Sequence, residues 1–182
     1  KQRYMASNFE KVINFNTQFG VMKPGSMIPN REVLSNDPAL VDQCMKLIRE
    51  EMKELEAAVK DKDITEVVDG LGDILYVVYG MAARMGFDID YGFNLIHENN
   101  MSKLCTSEEQ AQQTVQKYKD EYDAAQLLIS EGRSNMQVYD SPTYRQAPDG
   151  VHWVVYNKTT NKVLKSIAWK QVDLSSVLVK TK

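Results

Sequence analysis

Five carboxylates in two short clusters are the residues of this chain best placed to do chemistry. Glu50, Glu51 and Glu54 fall in Glu50-Glu51-Met52-Lys53-Glu54, and Asp69 and Asp73 in Asp69-Gly70-Leu71-Gly72-Asp73. On a helix, residues three or four apart share a face, so each cluster turns its carboxylates one way. If the two helices pack antiparallel, four or five negative groups meet. Such a cluster repels itself more strongly the further it lies from bulk water, and oxygen-only ligands suit magnesium or manganese. The plainer reading of the first cluster is a solvated helix face supported by Lys46, Arg49 and Lys53. The second cluster weighs against it. Asp69 and Asp73 sit among Val67, Val68, Leu71, Ile74 and Leu75, where a buried carboxylate without a cation is costly. Gly70 and Gly72 each lose about 1 kcal/mol of helix stability relative to Ala, which is tolerable if they allow close helix contact or leave room for a ligand.

The elements that must position these groups read as mainly α. Phe9, Val12, Ile13, Phe15 and Phe19 give an apolar face at helical spacing that Gly20 closes. Val21 to Asn36, with Pro24, Gly25 and Pro29, is a loop long enough to lie over a pocket. Asp37-Pro38 caps a second helix that continues through Leu55 and Val59 and carries the first cluster. Asp63 to Glu66 fits a capping box and opens a third, ending near Gly86, which carries the second cluster. A fourth helix runs from Phe87-Asp88-Ile89-Asp90 to about Met101, and a fifth from Ser107 to about Ser130. From Met136 the pattern becomes β: Val151, Trp153 and Val155 alternate with polar residues, as do Val163 and Lys165 to Trp169, with Asn157 to Asn161 as the turn. The expected organisation is a helical domain over 1–135 and a small β-rich appendage over 136–182.

Composition narrows the function. With 182 residues and 43% hydrophobic content the chain can bury a core, and a net charge of -3 argues against a phosphate-tracking nucleic-acid surface. No membrane span or secretory signal is apparent, so a soluble, cytoplasmic protein is expected. Met5-Ala6-Ser7 reads as a native start, with Lys1 to Tyr4 as an added leader. Cys44 and Cys105 lack metal-ligand spacing and read as inert reduced thiols. His97 and His152 are alone in their segments and read as structural.

Glu-Glu-x-x-Glu, then an Asp-bearing helix continuing Leu71-Gly72-Asp73-Ile74-Leu75-Tyr76, then Asn99-Asn100-Met101-Ser102-Lys103, resembles the MazG-like all-α nucleoside triphosphate pyrophosphohydrolases. These include the dimeric dUTPase and phosphoribosyl-ATP pyrophosphohydrolase relatives. The resemblance covers Phe9 to Tyr118 and implies a MazG-like bundle of about five helices. It also implies magnesium-dependent attack of water between the α and β phosphates of a (d)NTP, giving a monophosphate and pyrophosphate. Carried over by position, Glu51, Glu54 and Asp73 are implied metal ligands, and Glu50 is a further ligand or the base that activates water. The family commonly has Glu three residues before the last Asp, where this chain has Gly70. Asp69, one residue earlier, is the implied substitute, and the number of metals is left open. Glu66 is read as a cap residue instead, because Ile74-Leu75-Tyr76 fixes Asp73 as the terminal Asp. Lys103 is the implied phosphate contact, with Asn100 beside it. Since the first helix lines the nucleoside pocket in relatives, Asn14 and Gln18 are candidates to read a base, and Phe19 either stacks on it or is core. A homodimer or homotetramer is implied. Phosphoribosyl-ATP is the alternative substrate, and a nonhydrolysing nucleotide-binding or scaffolding module is the alternative of a different class.

Overall fold

A computed structural model describes residues 5–132 and 138–179. The boundary expected between Asn135 and Met136, and the leading residues Lys1 to Tyr4, lie outside the described residues. The protein is mainly α: α1 (Asn8–Gln18), α2 (Val33–Asn36), α3 (Pro38–Asp61), α4 (Ile64–Met85), α5 (Ile89–Met101) and α6 (Glu108–Ser130) precede a hairpin of β1 (Pro142–Gln146) and β2 (Trp153–Asn157). The five helices read from the sequence are present, and α2 is a single extra turn inside the expected loop. The chain divides into two compact units, Lys1–Asn94 with Asp173–Lys182, and Leu95–Val172.

In the first unit the helix ends follow local chemistry. Ser7 and Glu10 form a complete capping box on α1, Asp37 accepts from Leu40 N at 3.1 Å to cap α3 ahead of Pro38, and Asp63 accepts from Thr65 N and Glu66 N to cap α4. Lys62, in the left-handed region, and Asp63 link α3 to α4 directly. So short a link reverses the chain and makes the two helices an antiparallel pair. Gly70 faces α3 so closely that a Cβ there would lie 3.3 Å from Leu55 Cα, whereas Gly72 faces open space. The two glycines thus do different things: Gly70 allows close packing and Gly72 leaves a surface clear.

The loop before α3 is strapped down. Asn30 N donates to Met85 O at 3.0 Å, and Met22 and Met27 pack with Phe9 and Ala83. Gly86 ends α4 at φ +80, and a Cβ on it would meet Ile28 O at 2.0 Å. Only glycine fits beneath this loop. Val21 lines one cavity of the unit, and Met27 and Pro29 line another of about 440 Å³.

The second unit is built on α6, whose Ala111, Val115 and Tyr118 form a core with Cys105, Val155 and Leu164. β1 pairs antiparallel with β2, Tyr144 opposite Val155. The hairpin turn is at Asp149-Gly150: Asp149 Oδ1 accepts from Val151 N and His152 N, each at 2.9 Å, and its Oδ2 meets His152 Nδ1 at 2.6 Å. His152 is therefore a turn residue. Two strand expectations need correction. Pro142 to Gln146, not singled out from the sequence, is a strand, and the strand expected over Val163 to Trp169 reduces to one bridge at Val163. After Leu164 N bonds Val155 O, hydroxyls replace the ladder: Tyr118 Oη accepts from Lys165 N, Thr114 Oγ1 from Ile167 N, and Ser166 Oγ from Ala168 N. A backbone satisfied in this way has no need of a neighbouring strand.

Candidate active site

The register of the α3 and α4 pair determines what the carboxylates do. With Gly70 opposite Leu55 on antiparallel helices, four residues back along α3 is level with four forward along α4. Glu51 therefore stands across from the Asp73 end, and Glu54 across from the turn that carries Asp69 and Asp73. The electrostatics agree. Partial burial pushes the Glu51 carboxyl above its ordinary value of 4.5, and the charges of Glu54, Asp73, Glu50 and Asp69 push it further the same way. All five carboxylates expected from the sequence share one field.

The surroundings differ from expectation in one respect. Asp69 and Asp73 are exposed, as are Val68, Leu71 and Leu75 beside them, so no burial penalty calls for a cation. Glu50 pairs with Lys46 at 3.7 Å. Among the described residues no three acidic, cysteine or histidine side chains stand close enough to ligate one ion as they are. The donor set is nonetheless all oxygen on flexible, mostly exposed side chains, and it fits a hard divalent cation. Glu66 lines the same open groove as Asp69, Gly72 and Asp73. Asp63 caps the helix.

Beside this groove lies an apolar cavity of about 260 Å³, lined among others by Phe15, Asn16, Cys44, Tyr76, Gly80 and Arg84. Tyr76 lines both spaces, and Phe15 meets it edge-on at 5.5 Å between ring centroids. Two amides line this cavity: Gln43, whose Oε1 accepts from Arg84 at 2.7 Å, and Asn16, only 7% exposed, whose Nδ2 is buried without a hydrogen-bond partner among the described residues. A Cβ on Gly80 would lie 3.9 Å from Asn16 Nδ2, in ordinary van der Waals contact. Asn14 and Gln18, the amides singled out from the sequence, are exposed on the same helix. Phe19 is 72% exposed and stacks on Phe15 at 4.3 Å, so it is no core residue. Asn16 was legible in one respect: with Phe9 and Val12 it completes the buried stripe of α1, which makes it the polar residue on the apolar face.

Asn100 and Lys103 lie in the second unit, where Lys103 Nζ donates to Asn100 Oδ1 at 2.9 Å. The cysteines are buried and free, and burial raises the Cys44 thiol above its ordinary value, as an inert thiol requires. Among the described residues no helix is long and apolar enough to cross a membrane.

The first unit thus presents a paired helical hairpin with carboxylates on both arms. Residues 26–100 match the family model described as phosphoribosyl-ATP pyrophosphohydrolase, so this segment is similar to the MazG-like all-α nucleotide pyrophosphohydrolases. The chain is also similar to an uncharacterized protein of Acanthamoeba polyphaga mimivirus, 24% identical across 95% of this chain and 96% of that protein.

Proposed function

We propose that the protein is a magnesium-dependent pyrophosphohydrolase that cleaves a (d)NTP between the α and β phosphates, releasing a monophosphate and pyrophosphate. The observation that carries this reading is the common field of Glu50, Glu51, Glu54, Asp69 and Asp73, of which Asp69 and Asp73 line a groove that shares Tyr76 with a cavity holding an orphaned amide. Glu51, Glu54, Asp69 and Asp73 would hold magnesium, or manganese, with Glu50 as a further ligand or the base that takes the proton from water. The chemistry a divalent cation held there would supply is a lowered pKa of water and neutralisation of charge on the leaving pyrophosphate. Asn16 would donate to an acceptor on the base edge, between the walls of Phe15 and Tyr76. Exposed Val59, Ile64, Val68, Leu71 and Leu75 support a homodimer or homotetramer closed through α3 and α4.

The description of the matching family favours phosphoribosyl-ATP as a second substrate reading. Product analysis after incubation with magnesium and a panel of dNTPs, NTPs and phosphoribosyl-ATP decides between them. Monophosphate with pyrophosphate supports the reaction, and the preferred compound identifies the substrate. Orthophosphate as the direct product refutes it, and no turnover with magnesium or manganese assigns a binding role instead. Asp73→Asn should abolish turnover without unfolding the chain, and unchanged activity would remove the metal assignment.

A further inference from the structure

The second unit contains a cavity of about 310 Å³ whose walls include Lys103, Lys162, Lys165, Tyr118 and Tyr139. Three lysines line it from two stretches of chain, Lys103 after α5 and Lys162 with Lys165 after β2. None has a carboxylate oxygen within 4.0 Å among the described residues. Each is held by a group that leaves its charge in place. Lys103 Nζ donates to Asn100 Oδ1, Lys162 Nζ lies 5.2 Å from the centre of the Tyr139 ring, and Lys165 Nζ lies 3.6 Å from that of Trp169. A ring face attracts a cation without neutralising it, so a pocket held this way keeps a strong positive field.

The backbone beneath the lysines is fixed as well. Asn157 N donates to Lys162 O at 2.9 Å, and Leu164 N to Val155 O at 2.8 Å. Leu164, 2% exposed, plugs the core between the two lysines. Tyr118 Oη donates to Lys165 O and accepts from Lys165 N, each at 3.1 Å. An anion entering this cavity meets cations whose main chain is already ordered, which reduces the entropy lost on binding.

We propose that this pocket binds the phosphate chain of a di- or triphosphate, with Lys103, Lys162 and Lys165 as its three cations. Three unneutralised ammonium groups exceed what one phosphate needs and suit a chain of two or three. The concave, tyrosine-walled form suits a small molecule. The proposal gives residues after Met136 a binding role. It rests on the nucleotide reading only for the choice of phosphate chain as ligand.

The test is isothermal titration calorimetry of the full chain in metal-free buffer with EDTA, using tripolyphosphate, pyrophosphate and orthophosphate as probes. Without a divalent ion the carboxylates of the first unit have no affinity for an anion, so binding reports the lysines. Tripolyphosphate and pyrophosphate should bind more tightly than orthophosphate, with an affinity that falls as salt rises. Lys162→Gln combined with Lys165→Gln should weaken pyrophosphate binding about tenfold or more. The corresponding double Arg variant should largely restore it, and Lys60→Gln should leave it unchanged. Both lysines are exposed, so the double Gln variant should keep the wild-type circular dichroism and melting temperature. Unchanged binding in that variant, equal affinity for orthophosphate, or no binding by the wild type would overturn the proposal. A chain that binds pyrophosphate through these lysines yet hydrolyses no nucleotide keeps this site and loses the hydrolytic reading. Hydrolysis without lysine-dependent pyrophosphate binding does the reverse.

Discussion

Replacing Glu51 by Gln should stabilise the metal-free protein and weaken its response to magnesium. Glu51 is the least exposed of the five carboxylates, and its carboxyl is raised above 4.5 by burial and then by Glu54, Asp73, Glu50 and Asp69. A carboxyl raised in the folded state holds its proton more tightly there than in the unfolded chain. Stability is therefore full below the ordinary value, falls as pH rises through it to the raised value, and stays reduced at neutral pH. Glutamine removes that loss. Like charges at helix spacing cost about 0.2 to 0.5 kcal/mol each, so four of them, screened by solvent, amount to about 1 kcal/mol. For a chain of 182 residues that raises the melting temperature by about 2–4 °C. Magnesium at about ten times its dissociation constant should stabilise the wild type by about 1.4 kcal/mol, and the variant by clearly less. Differential scanning calorimetry in EDTA and in magnesium, at about pH 7.5 and about pH 4.5, measures both effects, and the difference between the two proteins should shrink at the lower pH. If Glu51→Gln melts below the wild type in EDTA, or magnesium raises both equally, the carboxylates are not a shared cation site.

Other substitutions test the supporting structure. Gly86→Ala forces a Cβ to within 2.0 Å of Ile28 O at φ +80 and should cost about 3 kcal/mol or more, whereas Gly72→Ala, with nothing within 4 Å, should gain about 1 kcal/mol; thermal unfolding of the pair that shows no contrast would contradict the strapped loop. Asn16→Leu removes a buried donor without a partner and should leave the protein as stable or about 1 kcal/mol more so, while lowering kcat/KM for the preferred base about tenfold or more; a clear loss of stability would mean the amide is satisfied. Asp149 is held at about 2 by the backbone N–H groups of His152 and Val151 and by the His152 ring. Its contribution is present above the ordinary carboxylate range and lost as pH falls through about 2, so an NMR titration that finds it near 3.8 would refute the turn geometry.

The helices that carry the carboxylates were legible because their ends are written in local residue types. Asp37-Pro38, Asp63 and Gly86 act within a few residues of themselves, and spacing along one helix needs no knowledge of the rest. The carboxylate set was legible for the same reason. Asn16 was harder to see, since its burial depends on how α1 packs against α4, and sequence order does not give helix register. Gly70 looked like a lost ligand; Leu55 opposite it gives a packing reason. The failed strand after Leu164 was an error of pattern: alternation predicts an extended chain, but whether that chain finds a ladder depends on where Thr114 and Tyr118 place their hydroxyls. Of the lysine pocket only Lys103 was singled out, because residues some 60 apart in sequence meet only after the hairpin folds onto α6.

The same departure from the ladder has a consequence for association. Beyond β2 the main chain is engaged by single bridges at both ends, Cys105 with Trp153 and Val163 with Tyr156, so that side of the hairpin offers no long row of free amides and carbonyls for another chain to add to. Self-templated growth of the sheet is blocked there by two short plugs rather than by charge or proline. Apolar residues are exposed on α3 and α4, so the association proposed through those helices would use side-chain packing rather than a sheet edge.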